Sequence, residues 1–227
     1  SKSTRVARAR ARSDARDSAP PRLGLARGSR STSRFAIVVT RARAPRVMTP
    51  ERCERELHDM ATRTSPIVRF MLQKLAEAGC AIDARFFSVE TCDKSVVGGF
   101  RPPDGVVMCH NQIHDRTTME NMLAHELIHA YDQCRGGKKM NWLDVRQHAC
   151  SEVRAANLSG DCHWMNELMR GRVFFDLKKH HQKCVRRRAE LSVAMNPNCT
   201  SDAHAKQVVD EVFERCFKDT APYDDIP

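Results

Sequence analysis

An α+β fold is predicted for residues 49–227, and three features of the sequence predict it. Apolar residues recur at helical spacing from about Pro50 to Ala78 and again from about residue 118 onward. Between these blocks the pattern changes to short β-branched and aromatic runs broken by glycine and proline. The second helical block carries His125-Glu126-Leu127-Ile128-His129, which sets two imidazoles one turn apart on one helix face.

Along the chain, residues 1–48 read as a disordered Arg-rich tail. Leu57, Met60, Ile67, Val68, Met71, Leu72 and Leu75 mark the first helical stretch, with Pro66 as a break between two helices. Strands are expected at Phe86–Glu90, Val96-Val97 and Gly105–Cys109. Gly98-Gly99 and Pro102–Gly105 read as the turns between them. Thr117 to Glu120 reads as a capping box opening a helix over about 118–134, whose apolar stripe is Met119, Met122, Leu123, Leu127 and Ala130. Gly136-Gly137 ends it. Further helices are expected at about 142–158, 163–182 and 203–218. The expected order is a small sheet, then the histidine helix, then a helical C-terminal subdomain.

The formal charge of +10 belongs to the tail. Residues 1–47 carry 12 Arg and 1 Lys against 2 Asp, a net of +11, which leaves the other 180 residues at −1. A near-neutral body gives no support to a nucleic-acid-binding face. The tail's richness in Arg, Ala and Ser matches the composition of a mitochondrial or plastid transit peptide, with a plain basic tail or sequence upstream of Met48 as the alternatives. No run approaches 18 consecutive apolar residues, so no transmembrane helix is predicted.

All ten cysteines fall between Cys53 and Cys216, a dense, even set that predicts disulfides. The absence of C-x-x-C pairs argues against a zinc ribbon or a thioredoxin-type motif. Cys134 and Cys150 flank the histidine helix and the helix after it, so a bridge near either would help to fix the geometry of a metal site there.

H-E-x-x-H on a helix carries a specific chemistry. His125 and His129 can bind one metal ion, and Glu126 can take a proton from a water on that ion. A catalytic zinc needs a third protein ligand and an open position. Asp144, His148 and Glu152 share one face of the next predicted helix. Glu152 would complete a His-His-Glu set; His148 is the other candidate, either as ligand or as a stabiliser of the developing oxyanion. Asp132 and Asp144 are candidates to orient the imidazoles. His110, His114 and His163 read as surface histidines.

Three blocks carry a resemblance: Gly105-Val106-Val107-Met108-Cys109-His110-Asn111, Leu123 through Arg135, and His148 through Cys162. On these, residues from about Cys53 to Cys216 resemble the family of mitochondrial inner membrane metalloproteases that mature ATP synthase subunit 6 and assist ATP synthase assembly. The resemblance implies a zincin-like metalloendopeptidase with one catalytic Zn2+, in which Glu126 is the base. It implies an intermembrane-space protein held by disulfides, attached peripherally to the inner membrane. Its implied partner is a polypeptide, the subunit 6 precursor. Two readings from other classes are a non-proteolytic assembly chaperone and a nuclear partner of DNA-repair proteins.

Overall fold

The computed structural model describes residues 47–93, 96–169, 171 and 177–227. The expected transit segment therefore lies outside the described residues, except for its last two positions. One of those, Met48, is buried in the body, and its N–H donates to the Ile113 carbonyl at 2.9 Å.

Helix α1 spans Pro50–Asp59 and α2 spans Pro66–Glu77. Both begin in the same way. The hydroxyl of Thr49 or Ser65 accepts from a first-turn N–H, and proline stands where its missing N–H costs nothing. The chain bends at Ser65, after a π-helical turn over Met60–Thr64, so Pro66 starts a helix as well as separating two.

Strands β1 (Phe87–Glu90), β2 (Gly98–Arg101) and β3 (Gly105–Cys109) form one sheet in the order β1-β3-β2. β1 runs parallel to β3, with Phe87 opposite Val106. β2 runs antiparallel to β3, with Gly98 opposite Met108. The central strand is buried along its whole length. The strand expected at Val96-Val97 instead begins at Gly98, and the two glycines read as a turn lie in the ladder. The cause is close approach. A Cβ on Gly98 would stand 2.6 Å from the Val107 carbonyl oxygen and 2.9 Å from Met122 Sδ. Gly105 opens β3 at φ +121°, with the Phe86 carbonyl packed where a side chain would go.

Helix α3, Arg116–Gly136, follows. Its cap is Asp115, not the expected Thr117. The Asp115 carboxylate accepts from the Thr118 N–H at 2.8 Å and from the Thr118 hydroxyl at 2.7 Å. A charged acceptor one position before the helix displaces the Thr-to-Glu box. Leu123, Leu127 and Ile128 pack with Met71, Leu75 and Met108 in one core. The opposite side of α3 meets α4, Val145–Leu158. The helix is therefore enclosed on two sides, which buries His125, Glu126, His129 and Asp132 as well as its apolar residues.

α4 packs with α6, Leu177–Val193, and α7, Asp202–Lys218, around a second core of Val153, Ala156, Val185, Ala189, Val209 and Phe213. The helix expected at 163–182 is not continuous. A short α5 spans Trp164–Met169, and α6 runs on to Val193. The run Arg186-Arg187-Arg188 hides that continuation in the sequence. Each arginine has an acidic partner (Asp210, Glu167 and Asp161 respectively), while Val185, Ala189 and Val193 carry the buried stripe at four-residue spacing.

Eight cysteines pair: Cys80–Cys134, Cys92–Cys109, Cys150–Cys216 and Cys162–Cys184. Cys53 and Cys199 remain thiols, so the pairing is not complete. Cys134 and Cys150 do not bridge to each other. Cys134 ties the end of α3 to the segment after α2, and Cys150 ties α4 to α7. Among the described residues, no helix is long and apolar enough to cross a membrane.

Candidate metal site

α3 and α4 are the two elements that bring the predicted site residues together. His125 and His129, four residues apart on α3, present Nε2 to the same carboxylate. Glu152, from the middle of α4, sets Oε2 3.4 Å from His125 Nε2 and Oε1 3.4 Å from His129 Nε2. One donor atom from each of the three lies within 4.8 Å of the others. With metal–ligand bonds of about 2.0–2.1 Å, neighbouring ligands of a tetrahedral zinc stand roughly 3.3 Å apart, which the two 3.4 Å His–Glu separations match. Glu126, buried on the same helix, lines a cavity of about 280 Å3 together with His125.

His148 stands behind this set. Its Nε2 is 3.2 Å from Glu152 Oε1, and its Nδ1 lies 3.0 Å from Asn196 Nδ2. It contacts the carboxylate and not the two histidines. The Trp142 ring lies 5.5 Å from that of His129 and 6.1 Å from that of His148, and its Nε1–H donates to Gln133 at 2.7 Å. His110 bonds Thr91 and the Met48 carbonyl, away from the site.

The support around the histidines is where the sequence reading missed most. His129 Nδ1–H donates to Ser151 Oγ at 2.7 Å, and Ser151 Oγ–H donates to Asp132 Oδ2 at 2.8 Å. That chain engages Nδ1 and leaves Nε2 turned toward Glu152. Arg154, fully buried, closes it by donating Nε–H to Asp132 at 3.0 Å. Its other nitrogens hold the carbonyls of Asp219 and Ala221, which fastens the C-terminal segment to the site's foundations. Asp132 thus reaches an imidazole, but through Ser151. Asp144 has a different role: it caps α4, accepting from the Arg146 and Gln147 N–H groups. Asp161 takes the place beside His125, with Oδ2 3.4 Å from Nδ1 in a contact of charge and not a well-aligned hydrogen bond. Ser151 adjoins Glu152 and Asp161 follows Gly160; no spacing rule marks either residue.

Electrostatics match this arrangement. Burial alone would raise the Glu152 carboxyl and lower His125. The three surrounding histidines instead hold Glu152 well below the usual carboxylate range. Asp161 and Glu152 outweigh the burial of His125 and push it up to about 10.

The fold and site together define a mixed α+β protein with a small sheet and a buried His-His-Glu donor set between two helices. The chain belongs to the peptidase M76 family, whose model matches residues 51–224. A Yarrowia lipolytica protein named mitochondrial inner membrane protease ATP23 is 44% identical over 162 residues, covering 71% of this chain and 64% of that protein. The like-named protein of Schizosaccharomyces pombe is 40% identical over 174 residues, 77% of this chain and 92% of its own length. That of Saccharomyces cerevisiae strain S288c is 41% identical over 177 residues, 75% and 77% of the two chains. No solved structure matches the chain.

Proposed function

We propose that this protein is a zinc-dependent endopeptidase with a zincin-like domain, acting in the mitochondrial intermembrane space as a peripheral protein of the inner membrane. Its proposed substrate is the ATP synthase subunit 6 precursor, and it also assists ATP synthase assembly. The observation that carries the reading is the convergence of His125, His129 and Glu152 beside Glu126, inside a family of peptidases. The relatives named as mitochondrial inner membrane proteases support the compartment. Four disulfides support an oxidising one. The Arg-rich stretch 1–48 is proposed as the import segment.

His125 Nε2, His129 Nε2 and the Glu152 carboxylate would hold the ion. When bound, zinc supplies Lewis-acid polarisation of the scissile carbonyl and acidifies a water. Glu126 accepts the proton of the attacking water at its carboxylate and returns it to the leaving amine nitrogen. Ser151 and Asp132 keep His129 in the tautomer that leaves Nε2 free, and Asp161 balances the charge at His125. The Trp142 ring packs edge-on against His129.

The test is cleavage of a synthetic peptide spanning the N-terminal processing junction of subunit 6, followed by mass spectrometry. Cleavage should stop on chelation, return with zinc, and be absent in Glu126→Gln. Full cleavage by Glu126→Gln would end the mechanism. Assembly of ATP synthase in cells carrying that variant measures the assembly role separately.

A further inference from the structure

The cavity beside Glu126 has a charged residue in its wall, Arg188, that the proposed chemistry does not use. Its lining includes Val97 and Gly98 at the edge strand β2, Asn121 and Met122 on α3, and Asp161 with Arg188. It reaches His125 and Glu126 but neither His129 nor His148.

Arg188 differs from its two arginine neighbours. Arg186 pairs with Asp210 and lies over the Phe213 ring at 3.5 Å, and Arg187 pairs with the buried Glu167. Neither lines the cavity. Arg188 has a bond from Nη2 to Asp161 Oδ2 at 2.7 Å, and its Nε is enclosed without an acceptor among the described residues. One carboxylate thus holds the guanidinium, while 34% of the side chain stays exposed. A guanidinium has five N–H donors, so one bond to Asp161 leaves others for an incoming oxygen. Asp161 at 2.7 Å offsets part of its charge, which suits it to a neutral carbonyl better than to a free carboxylate. The same Asp161 oxygen lies 3.4 Å from His125 Nδ1, so Arg188 is held at a fixed place relative to the metal-site helix.

We propose that Arg188 is a substrate-binding residue, donating to a backbone carbonyl oxygen of the peptide that occupies the cavity beside Glu126. This rests on the peptidase reading above. A residue that merely pinned Asp161 would be replaceable by lysine, which keeps a cation for that carboxylate. A substrate-binding arginine would not be, because one ammonium engaged by Asp161 lacks the planar second edge.

Arg188→Lys should keep wild-type zinc content and melting temperature. Its KM for the subunit 6 junction peptide should rise roughly 10- to 100-fold, the effect of one charged hydrogen bond, with kcat little changed. Binding gives a second readout on zinc-loaded protein carrying Glu126→Gln. There, Arg188→Lys should weaken a peptide hydroxamate roughly tenfold or more and leave acetohydroxamate unaffected. Wild-type KM in Arg188→Lys, or loss of zinc in step with activity, would overturn the proposal. So would a peptide hydroxamate that binds wild type no better than acetohydroxamate. If the wild type cleaves no peptide, the peptidase reading falls, and the hydroxamate comparison still decides Arg188.

Discussion

Replacing Ser151 with alanine tests how the site is held, because the change removes one oxygen and touches no proposed ligand. The Ser151 hydroxyl accepts from His129 Nδ1 and donates to Asp132, at 2.7 and 2.8 Å. Asp132 keeps Arg154 after the change, so its charge stays compensated. His129 does not: its Nδ1–H, in a buried ring, loses its acceptor. Leaving one buried donor unpaired costs about 1–3 kcal/mol. Loss of a residue that orients a metal-binding histidine typically lowers metal affinity 10- to 100-fold, or about 1.4–2.7 kcal/mol. Zinc competition against a fluorescent chelator should show a drop in that range, and the metal-free variant should unfold at lower denaturant. Ser151→Ala with wild-type zinc affinity would refute the view that Ser151 fixes the His129 tautomer.

Other outcomes follow from the same geometry. Removing Cys150–Cys216, with its sequence separation of 66, should cost about 4 kcal/mol, and removing Cys92–Cys109, with a separation of 17, about 3 kcal/mol; urea unfolding of the paired serine variants checks both. Alkylation of the native, unreduced protein should count two thiols. Cys199 should react first, because burial pushes the Cys53 thiol up to about 11. Metal-free protein should lose stability as pH rises from about 6.5 to about 10. Folded His125 is pushed up to about 10 by Asp161 and Glu152 against its burial, so its stabilising charge is complete below the unfolded value and lost through the folded one. Thermal melts of chelated protein across that range test the sign, and a flat profile would count against the charged pair.

Much of the fold was legible because its signals are local. The apolar spacing from Pro50 and the break at Pro66 mark the first two helices, and the apolar spacing of α3 survives although its opposite side is also buried. β2 was displaced because Gly98-Gly99 has the composition of a turn, while its reason for being glycine is the distant Val107 and Met122. α6 was cut short because its arginines look like a solvated run until their partners on other elements are known. At the site, the His125–His129 spacing is a property of one helix, and one face of the next offers Glu152 together with His148 and Asp144. Ser151 and Asp161 depend on how α3, α4 and the loop after α4 cross, which no spacing encodes. Disulfide pairing is long-range in the same sense: Cys150 finds Cys216 only after α4 and α7 pack.

The central claim is that one zinc ion sits between α3 and α4 on His125, His129 and Glu152. Anomalous diffraction at the zinc edge from crystals of the zinc-loaded protein tests it most directly. A single peak is expected within about 2.0–2.2 Å of His125 Nε2, His129 Nε2 and a Glu152 oxygen, with His148 outside bonding distance. A peak bonded to His148 in place of Glu152, or no peak between the two helices, would contradict it.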